Sequence, residues 1–303
     1  MFIDDKIRRV FKIIDPLDYN RSSILNNIYK IINFNKFIHQ FNNDIKKISI
    51  NKKLDENGFV QIDSNKKILD KILERHNKIS KTKEFIESLA KSKKEFLKVY
   101  KINLLEGNNH IFFKFLFENE LLEIVRSYLG KYFTLNGAYF LYSKNEKFEL
   151  SRSQELHLDG DSLKQIKIFV HLSDVDLKSG PLHVLPKKNS KYLFTNFYNS
   201  GKIKKRSNKI SDNKLEKETL EKILPMVGSR GAINIVDTSN CYHFGSRPGK
   251  NDRLILLFQF VSSYSYRTKF FPNKDLILKS KYLNDNEIKK INNIIKFSDF
   301  QFR

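Results

Sequence analysis

In the first part of the chain, apolar positions follow the spacing of helices. They recur every three or four residues, which places them on one helix face: Ile24, Ile28, Ile31 and Ile32. This pattern predicts a helical N-terminal extension over residues 1–51. A turn at Asn57-Gly58 and a short strand follow. Further helices are predicted over 65–80, 82–101 and 118–130, and the last ends at Gly130, a residue typical of helix C-termini.

From Tyr132 onward the pattern becomes that of β-strands. Short runs rich in β-branched and aromatic residues are bounded by glycine and polar residues, over 133–142, 166–172, 231–237 and 253–261. Between them, the polar stretch 187–214 is predicted as a loop, with a short helix near 214–224. The tail is predicted to form a helix over 284–296. Helices followed by antiparallel-type strands indicate an α+β fold with a double-sheet barrel as its core.

Composition limits the class of protein. The chain has 303 residues, of which 40% are hydrophobic, and 26 Phe contribute to a substantial core. It contains no apolar run long enough for a transmembrane helix and no apolar stretch after its first residues that would suit a signal peptide. The single cysteine, Cys241, rules out an internal disulfide. These features predict a cytoplasmic protein of unknown oligomeric state.

The formal net charge is +22, which raises the question of a nucleic-acid partner. However, the positive residues are mostly lysines spread over the whole length and mixed with Ile and Asn. They form no stripe interleaved with stacking aromatics, as single-strand binding would require. The one local cluster, over 202–209, lies in the polar stretch and is interpreted as a solvated insertion. The charge distribution therefore argues against nucleic acid as the partner.

Candidate chemistry is concentrated in three residues. His157 and Asp159 are two positions apart, so in a strand both side chains point the same way, with Leu158 on the other side. His243 follows a predicted strand much later in the chain. Two imidazoles and one carboxylate form the facial triad that holds non-haem Fe(II) with open coordination positions. We therefore predict that His157, Asp159 and His243 are metal ligands and catalytic residues.

An arginine downstream of the triad suggests the co-substrate. Arg253 begins an otherwise apolar strand, where burying a guanidinium is costly unless it meets an anion. A dicarboxylate such as 2-oxoglutarate would supply that anion, and Arg247 is the alternative anchor. Tyr139 or Lys164 could hydrogen-bond the same molecule, and Tyr142 and Gln259 are further candidates for the cavity wall. His171 and His183 are interpreted as packing or supporting residues.

These segments resemble the phytanoyl-CoA dioxygenase family of Fe(II)/2-oxoglutarate oxygenases. The similar stretches are 54–63, the helix ending at 128–130, Gln154-Glu-Leu-His-Leu-Asp159, the hairpin over 170–186, and 237–247. The resemblance implies a double-stranded β-helix, or jelly roll, over 52–266, flanked by helices and followed by a tail over 267–303. It also implies a dioxygenase that uses Fe(II), 2-oxoglutarate and O2 to hydroxylate a metabolite, lipid or sugar derivative, releasing succinate and CO2.

Two other functions remain open at this stage. The spacing of Arg247 and Arg253 is similar to the paired arginines of nucleic-acid-directed oxygenases, although those lie further beyond the second histidine. The second of these functions is that of a non-catalytic jelly-roll binding module. An intact triad with an arginine argues against that alternative, because such polar groups are costly to keep without a use. The sequence does not distinguish hydroxylation from desaturation or ring closure.

Overall fold

The computed structural model describes residues 49–92, 96–130, 133–143, 150, 152–161, 164–204, 208–262 and 277–297. Within them lie a large sheet, called here the major sheet, and a smaller one, called the minor sheet. Almost all of their strand pairs are antiparallel. The observed architecture is therefore an antiparallel β-structure flanked by helices, as the α+β pattern predicted. The proposed N-terminal helical extension lies almost entirely outside the described residues.

The strands of the major sheet are β1 (Phe59–Asp63), β2 (Lys98–Lys101), β3 (Phe133–Ser143), β4 (Gln165–His171), β7 (Ala232–Val236), β9 (Arg253–Ser262) and β10 (Ile295–Phe297). Their order in the sheet is β1-β7-β4-β9-β3-β10, and β2 also pairs with β3. The parallel pair is β3 with β10. The predicted strands over 133–142, 166–172, 231–237 and 253–261 are thus confirmed within one or two residues.

The described helices are α1 (Ser49–Asn57), α2 (Lys66–Ile79), α3 (Lys83–Ala90), α4 (Ile111–Glu118), α5 (Leu121–Leu129), α6 (Lys187–Asn199), α7 (Lys217–Glu221) and α8 (Asp285–Ile294). Of these, α1 to α5 and α8 contribute to the apolar cluster on one face of the major sheet. Alternate strand residues such as Ile168 and Phe258 join the same apolar cluster as Phe112 and Leu122. Because neighbouring residues in a strand face opposite sides, Lys167 and Leu257 face away from these helices. No helix within the described ranges has the length and apolarity needed to cross a membrane.

Two helix predictions need correction. The helix proposed over 82–101 ends at Ala90, and Lys98–Lys101 is instead a strand paired with β3. The helix proposed over 118–130 begins only at Leu121, as α5, and a separate helix, α4, precedes it. Glu120, with φ 53°, separates the two helices. A left-handed backbone conformation cannot continue a right-handed helix. The predictions for 65–80 and 284–296 are confirmed by α2 and α8.

The polar stretch after Pro186 was predicted as a loop, which is wrong for its first part. Residues Lys187–Asn199 form α6. The helix buries one face at helical spacing, formed by Ser190, Leu193, Phe194 and Phe197. These residues join a second apolar cluster beneath the minor sheet, with Leu156, Leu158 and Tyr242. Four apolar or small residues at the right intervals therefore outweigh the polar composition of the segment. The short helix predicted near 214–224 is confirmed by α7.

The minor sheet has the order β6-β5-β8, with β5 (Leu182–Val184), β6 (Leu224–Met226) and β8 (His243–Phe244). A single antiparallel bridge between His157 and His243 extends it by one more segment. Residues of both sheets, among them Phe169 and Ile255 from the major sheet and Leu182 from the minor sheet, line one cavity of about 310 Å³. The cavity is within the size range typical of small-molecule sites.

Candidate metal centre

His157 and His243 are brought together by their own backbones. The His157 N–H donates to the His243 carbonyl at 3.1 Å, and the His243 N–H donates to the His157 carbonyl at 3.0 Å. Residues paired in this way on antiparallel segments project their side chains to the same face. The two imidazole ring centroids are accordingly 4.4 Å apart. Leu158, between the two polar residues, turns instead into the apolar cluster beneath the minor sheet.

Asp159 completes the group. Its backbone N–H donates to the Thr238 carbonyl at 2.9 Å, which ties the His157 segment to the loop before β8. Its carboxylate oxygens lie 3.9 Å from His157 Nε2 and 3.6 Å from His243 Nε2. One ligand atom from each residue lies within 4.8 Å of the others, an arrangement that could hold a metal ion. The predicted triad is therefore assembled at a single point.

The imidazoles present their Nε2 atoms to this point. His157 Nδ1 lies 2.8 Å from the Glu155 carbonyl, and His243 Nδ1 lies 3.0 Å from the Cys241 carbonyl. A carbonyl oxygen only accepts, so each Nδ1 carries the proton and each Nε2 has a free lone pair. Such an outer hydrogen bond orients histidine ligands in metal sites. Both rings thus have the tautomer that a divalent cation requires.

Burial keeps both imidazoles neutral. Desolvation, followed by the neighbouring His157, lowers the pKa of His243 to about 3. Desolvation also lowers the pKa of His157, although the Asp159 carboxylate partly opposes that effect. Desolvation would raise the pKa of Asp159, but the Lys167 ammonium outweighs that effect and holds the pKa below its usual value. The group therefore offers two neutral nitrogens and one carboxylate, which is a suitable donor set for Fe(II).

Lys167 is a residue of the site that the sequence analysis missed. Its Nζ lies 2.7 Å from Asp159 Oδ2, and its side chain is only 17% exposed. Oδ2 is itself buried, so the Lys167 ammonium is the charged group that faces it within the described chain. The alternation of polar Gln165, Lys167 and His171 with apolar residues on β4 was the available signal, because it indicates a strand with one face toward a polar site.

Arg253 is buried in the same cavity, 6% exposed, beside uncharged partners. Its guanidinium donates to Ser246 Oγ at 2.7 Å and to Ser143 Oγ at 3.3 Å, and its Nε has no hydrogen-bond partner. Within the described part of the chain it forms no ion pair with a carboxylate. Burial lowers its pKa to about 10, which leaves it charged at neutral pH. A buried cation held only by hydroxyl groups is suited to receive an anion.

Ser246 is held in place for this contact by an unusual backbone conformation. It is a non-glycine residue with φ 57°, and its carbonyl accepts from Gln154 Nε2 at 2.6 Å. Its Oγ also lies 2.9 Å from Ser143 Oγ. Left-handed conformations of residues other than glycine are uncommon and mark positions maintained by their surroundings. The strand that carries Arg253 and the loop after His243 therefore meet at this hydroxyl.

Arg247, the alternative anchor, is already engaged. Its guanidinium forms two hydrogen bonds with Asp212, at 2.7 and 2.8 Å, and its Nε donates to the Gln154 carbonyl at 2.9 Å. It also stacks on the Phe244 ring at 3.4 Å. Its role is to attach the segment around Asp212 to the turn after β8. Arg247 and Arg253, whose spacing in the sequence suggested nucleic-acid recognition, have different partners in the structure.

Lys164 and Tyr142 do not line the cavity. Lys164 is exposed, and its ammonium lies over the Tyr128 ring at 4.2 Å. Tyr142 faces outward and donates to Asp252. The physical reason is strand parity, because Lys167 on β4 and Tyr139 on β3 are the residues that point inward. The prediction that Lys164 bonds the co-substrate is therefore replaced by the finding that Lys167 occupies the cavity.

Tyr139 does line the cavity, and its pKa is raised by burial and by Asp161. A Cβ on Gly137 would lie 2.3 Å from the Tyr139 hydroxyl, so the glycine makes room for this ring. Gln259 shares the inward parity, but its Nε2 donates to Asp161 Oδ2 at 2.8 Å. The two residues lie at the same end of the cavity as Lys167, which pairs with Gln259 across β4 and β9.

His171 and His183 act as supporting residues. His171 lines the cavity and is buried between the Asn234 amide, 3.0 Å from its Nε2, and the Gly228 carbonyl. His183 stacks on Phe244 with ring centroids 4.6 Å apart, next to the Arg247 contact. Neither belongs to the triad. The remaining wall is mostly apolar, formed by Leu97, Val99, Leu141, Phe169, Ile255 and Leu257.

No family model matches the chain, and no curated protein sequence matches it. Solved structures resemble its fold at low identity. HygX from Streptomyces hygroscopicus, with nickel and 2-oxoglutarate bound, is 14% identical, covers 70% of this chain and 85% of its own, and gives a TM-score of 0.47. EctD from S. alaskensis, with 2-oxoglutarate and 5-hydroxyectoine, is 12% identical. The match covers 75% of this chain and 80% of EctD, with a TM-score of 0.49.

A third similar structure is the non-haem α-ketoglutarate-dependent epimerase SnoN from nogalamycin biosynthesis. It is 10% identical, covers 78% of this chain and 86% of its own, and gives a TM-score of 0.49. The use of iron or 2-oxoglutarate is a property of those proteins.

Proposed function

We propose that the protein is a non-haem Fe(II)/2-oxoglutarate-dependent dioxygenase that hydroxylates a small molecule and releases succinate and CO2. The observation that carries the proposal is the presence, in one cavity, of the His157, Asp159 and His243 donor set and of a buried arginine without a carboxylate partner in the described chain. Either feature alone occurs in other kinds of site. Together they provide for both a metal and a dicarboxylate.

In this proposal the three ligands hold Fe(II), which with 2-oxoglutarate and O2 supplies the oxidising power for C–H hydroxylation. The protein binds and orients the reactants. Arg253 and Ser246 receive the distal carboxylate of 2-oxoglutarate through charge-assisted hydrogen bonds. The apolar wall, with Leu257 and Phe169, holds the substrate carbon skeleton and excludes water. Tyr139 contributes a hydroxyl at the end of the cavity near Lys167.

The proposal includes the architecture and the setting of the protein. The two sheets would be the halves of a double-stranded β-helix within an oxygenase domain over 52–266, related to the phytanoyl-CoA dioxygenases. The N-terminal extension and the tail over 267–303 would be additions to that domain. A cytoplasmic location is consistent with a single cysteine that is buried and unpaired.

The direct test is an anaerobic titration of the metal-free protein with Fe(II) and then with 2-oxoglutarate. We expect a saturable visible charge-transfer band, which arises when a keto acid chelates the metal. Arg253→Met should weaken 2-oxoglutarate binding on the order of a hundredfold, since a charged hydrogen bond is worth about 1.5–3 kcal/mol and its loss leaves a carboxylate buried. Its Fe(II) affinity should stay within about threefold of the original protein.

Arg247→Met is the matched control, because that guanidinium is bound to Asp212 outside the triad. It should retain the affinity for 2-oxoglutarate. If folded protein gives no band at saturating Fe(II), the dioxygenase proposal fails and a binding module becomes the better interpretation. If Arg247→Met loses the co-substrate and Arg253→Met does not, the anchor has been assigned to the wrong arginine.

A further inference from the structure

Lys167 has no part in the proposed binding of metal or co-substrate, yet it lies beside the ligands. It stands on β4, which is paired on both sides, with β7 and with β9. Its ammonium cannot reach the helices, because Ile166 and Ile168 occupy that face of the strand. It is therefore directed into the cavity, where its Nζ meets Asp159 Oδ2 at 2.7 Å.

The negative charges facing Lys167 come from one segment, residues 159–161. Asp159 is in direct contact, and Asp161 is close enough to interact electrostatically. Asp161 itself accepts a hydrogen bond from Gln259 on β9. In the metal-free protein, the ammonium is thus the counter-charge of the carboxylate that the metal needs.

We propose that Lys167 is a positioning residue that weakens binding of the metal and strengthens binding of the anionic co-substrate that follows it. This inference rests on the proposed function. A divalent cation approaching Asp159 is repelled by the ammonium and must share its carboxylate. Once the metal is bound, the same ammonium leaves the centre with one more positive charge than the ligands alone would give. That excess attracts 2-oxoglutarate, a dianion, in preference to neutral molecules.

The two expected effects have opposite signs, which distinguishes this role from support of the fold. A residue that only maintains structure would, when replaced, lower both affinities or leave both unchanged. Removal of the charge should instead raise one affinity and lower the other. Asp159 is the contact through which Lys167 acts, so the metal-ligand geometry is expected to respond as well.

The experiment measures Kd for Co(II) in the metal-free protein, and Kd for 2-oxoglutarate in the Fe(II)-loaded protein without oxygen. For Lys167→Met we expect Co(II) binding about tenfold tighter and 2-oxoglutarate binding about tenfold weaker. The intensity of the Co(II) visible bands, which depends on coordination number, should also change as Asp159 loses its ion pair. Lys167→Arg keeps the charge and should keep both affinities near their original values.

Lys164→Met is the matched control, because it removes an exposed lysine three residues away that does not line the cavity. It should leave both constants unchanged. If Lys167→Met does not fold, Lys167→Gln removes the charge while keeping a polar side chain, and the same opposite shifts are expected. The inference would be overturned if Lys167→Met changed both affinities in the same direction or changed neither. Absence of metal or 2-oxoglutarate binding in the original protein would instead overturn the proposed function.

Discussion

The backbone carbonyls of Glu155 and Cys241 determine which nitrogen His157 and His243 can offer. Each carbonyl belongs to the residue two positions before its histidine, so ligand and supporting group are encoded in the same short segment. Such local support orients a ring without help from distant residues. The arrangement is also consistent with the neutral state of both rings, because it leaves Nε2 free of hydrogen.

The neutral buried imidazoles predict a pH dependence of stability. The pKa of His243 is lowered to about 3 and that of His171 to about 4, in both cases first by desolvation. Their ordinary value is 6.5, so between about 4 and 6.5 the unfolded chain binds protons that the folded protein does not. The free energy of unfolding should therefore have its full value above pH 6.5 and fall as the pH decreases below it. At pH 5 the loss is about 2 kcal/mol for each imidazole.

Urea denaturation of the metal-free protein at pH 7.5 and pH 5 measures this loss. His171→Asn isolates one contribution, and its stability should depend less steeply on pH than that of the original protein. If the free energy of unfolding changed equally with pH in the two proteins, His171 would not titrate as proposed.

At the residue scale, the triad was predictable because an i, i+2 pair in a strand needs no knowledge of the fold. Arg253 was predictable because a charge at the start of an apolar strand is unusual. Lys167 was missed because a lysine in a strand is normally a solvent-facing residue. Whether that face meets water or a second sheet depends on the minor sheet, which is formed by segments far away in sequence.

At the scale of elements, Gly58 connects α1, β1 and the loop before His243. Its N–H donates to the Leu54 carbonyl at the C-terminal end of α1, and its own carbonyl accepts from the Asp237 N–H. It has φ +80°, and a Cβ would lie 2.2 Å from Cys241 Sγ. Gly58→Ala should cost about 2–4 kcal/mol of unfolding free energy, from backbone strain and overpacking together. Thermal and urea unfolding measure the loss.

Gly201→Ala separates these two causes. Gly201 has φ +70° but no neighbouring atom within 4 Å of an added Cβ, so the substitution adds strain without a clash. Its cost should be about 1–2 kcal/mol. A loss as large as that of Gly58→Ala would mean that contact with Cys241 is unimportant.

The type of element was predictable wherever the apolar periodicity is strong, but two segments were assigned the wrong type. The segment over 98–101 continues a helical pattern but forms a strand, because β3 offers an unpaired edge there. The segment over 187–199 is polar in composition, yet its buried face needs only a few residues at helical spacing. In both cases the deciding partner comes from elsewhere in the chain, and local propensity is outweighed by tertiary contacts.

At the scale of the whole molecule, the two faces of the major sheet have different roles, since one packs against helices and the other lines the cavity. Phe258 is fully buried against the helices, whereas its neighbour Leu257 lines the cavity. Phe258→Ala should lower the free energy of unfolding by about 3–5 kcal/mol. Affinities for Fe(II) and 2-oxoglutarate should change less than about threefold, because the altered volume lies on the opposite side of the sheet.

Leu257→Ala is the companion variant, since it enlarges a space that already exists. It should cost less stability than Phe258→Ala and should alter selectivity for substrates that contact the apolar wall. Unfolding curves and binding titrations on both variants measure the separation. A tenfold weaker 2-oxoglutarate affinity in Phe258→Ala would contradict it.

The α+β class and the order of helices and strands could be predicted from periodicity. The relation between the two sheets could not, because nothing local specifies that β8 pairs with β5 and with His157 rather than with the major sheet. The cavity exists only through that relation.

The position of β3 in the major sheet has a consequence for folding during synthesis. Its first residues, Phe133–Leu135, pair with β10, which follows much later in the sequence. On its other side, β3 pairs with β9, which also follows much later. The nascent β3 therefore emerges with unpaired backbone groups before either partner strand has been made. Such an unpaired strand edge is open to unwanted pairing until the long-range partners arrive.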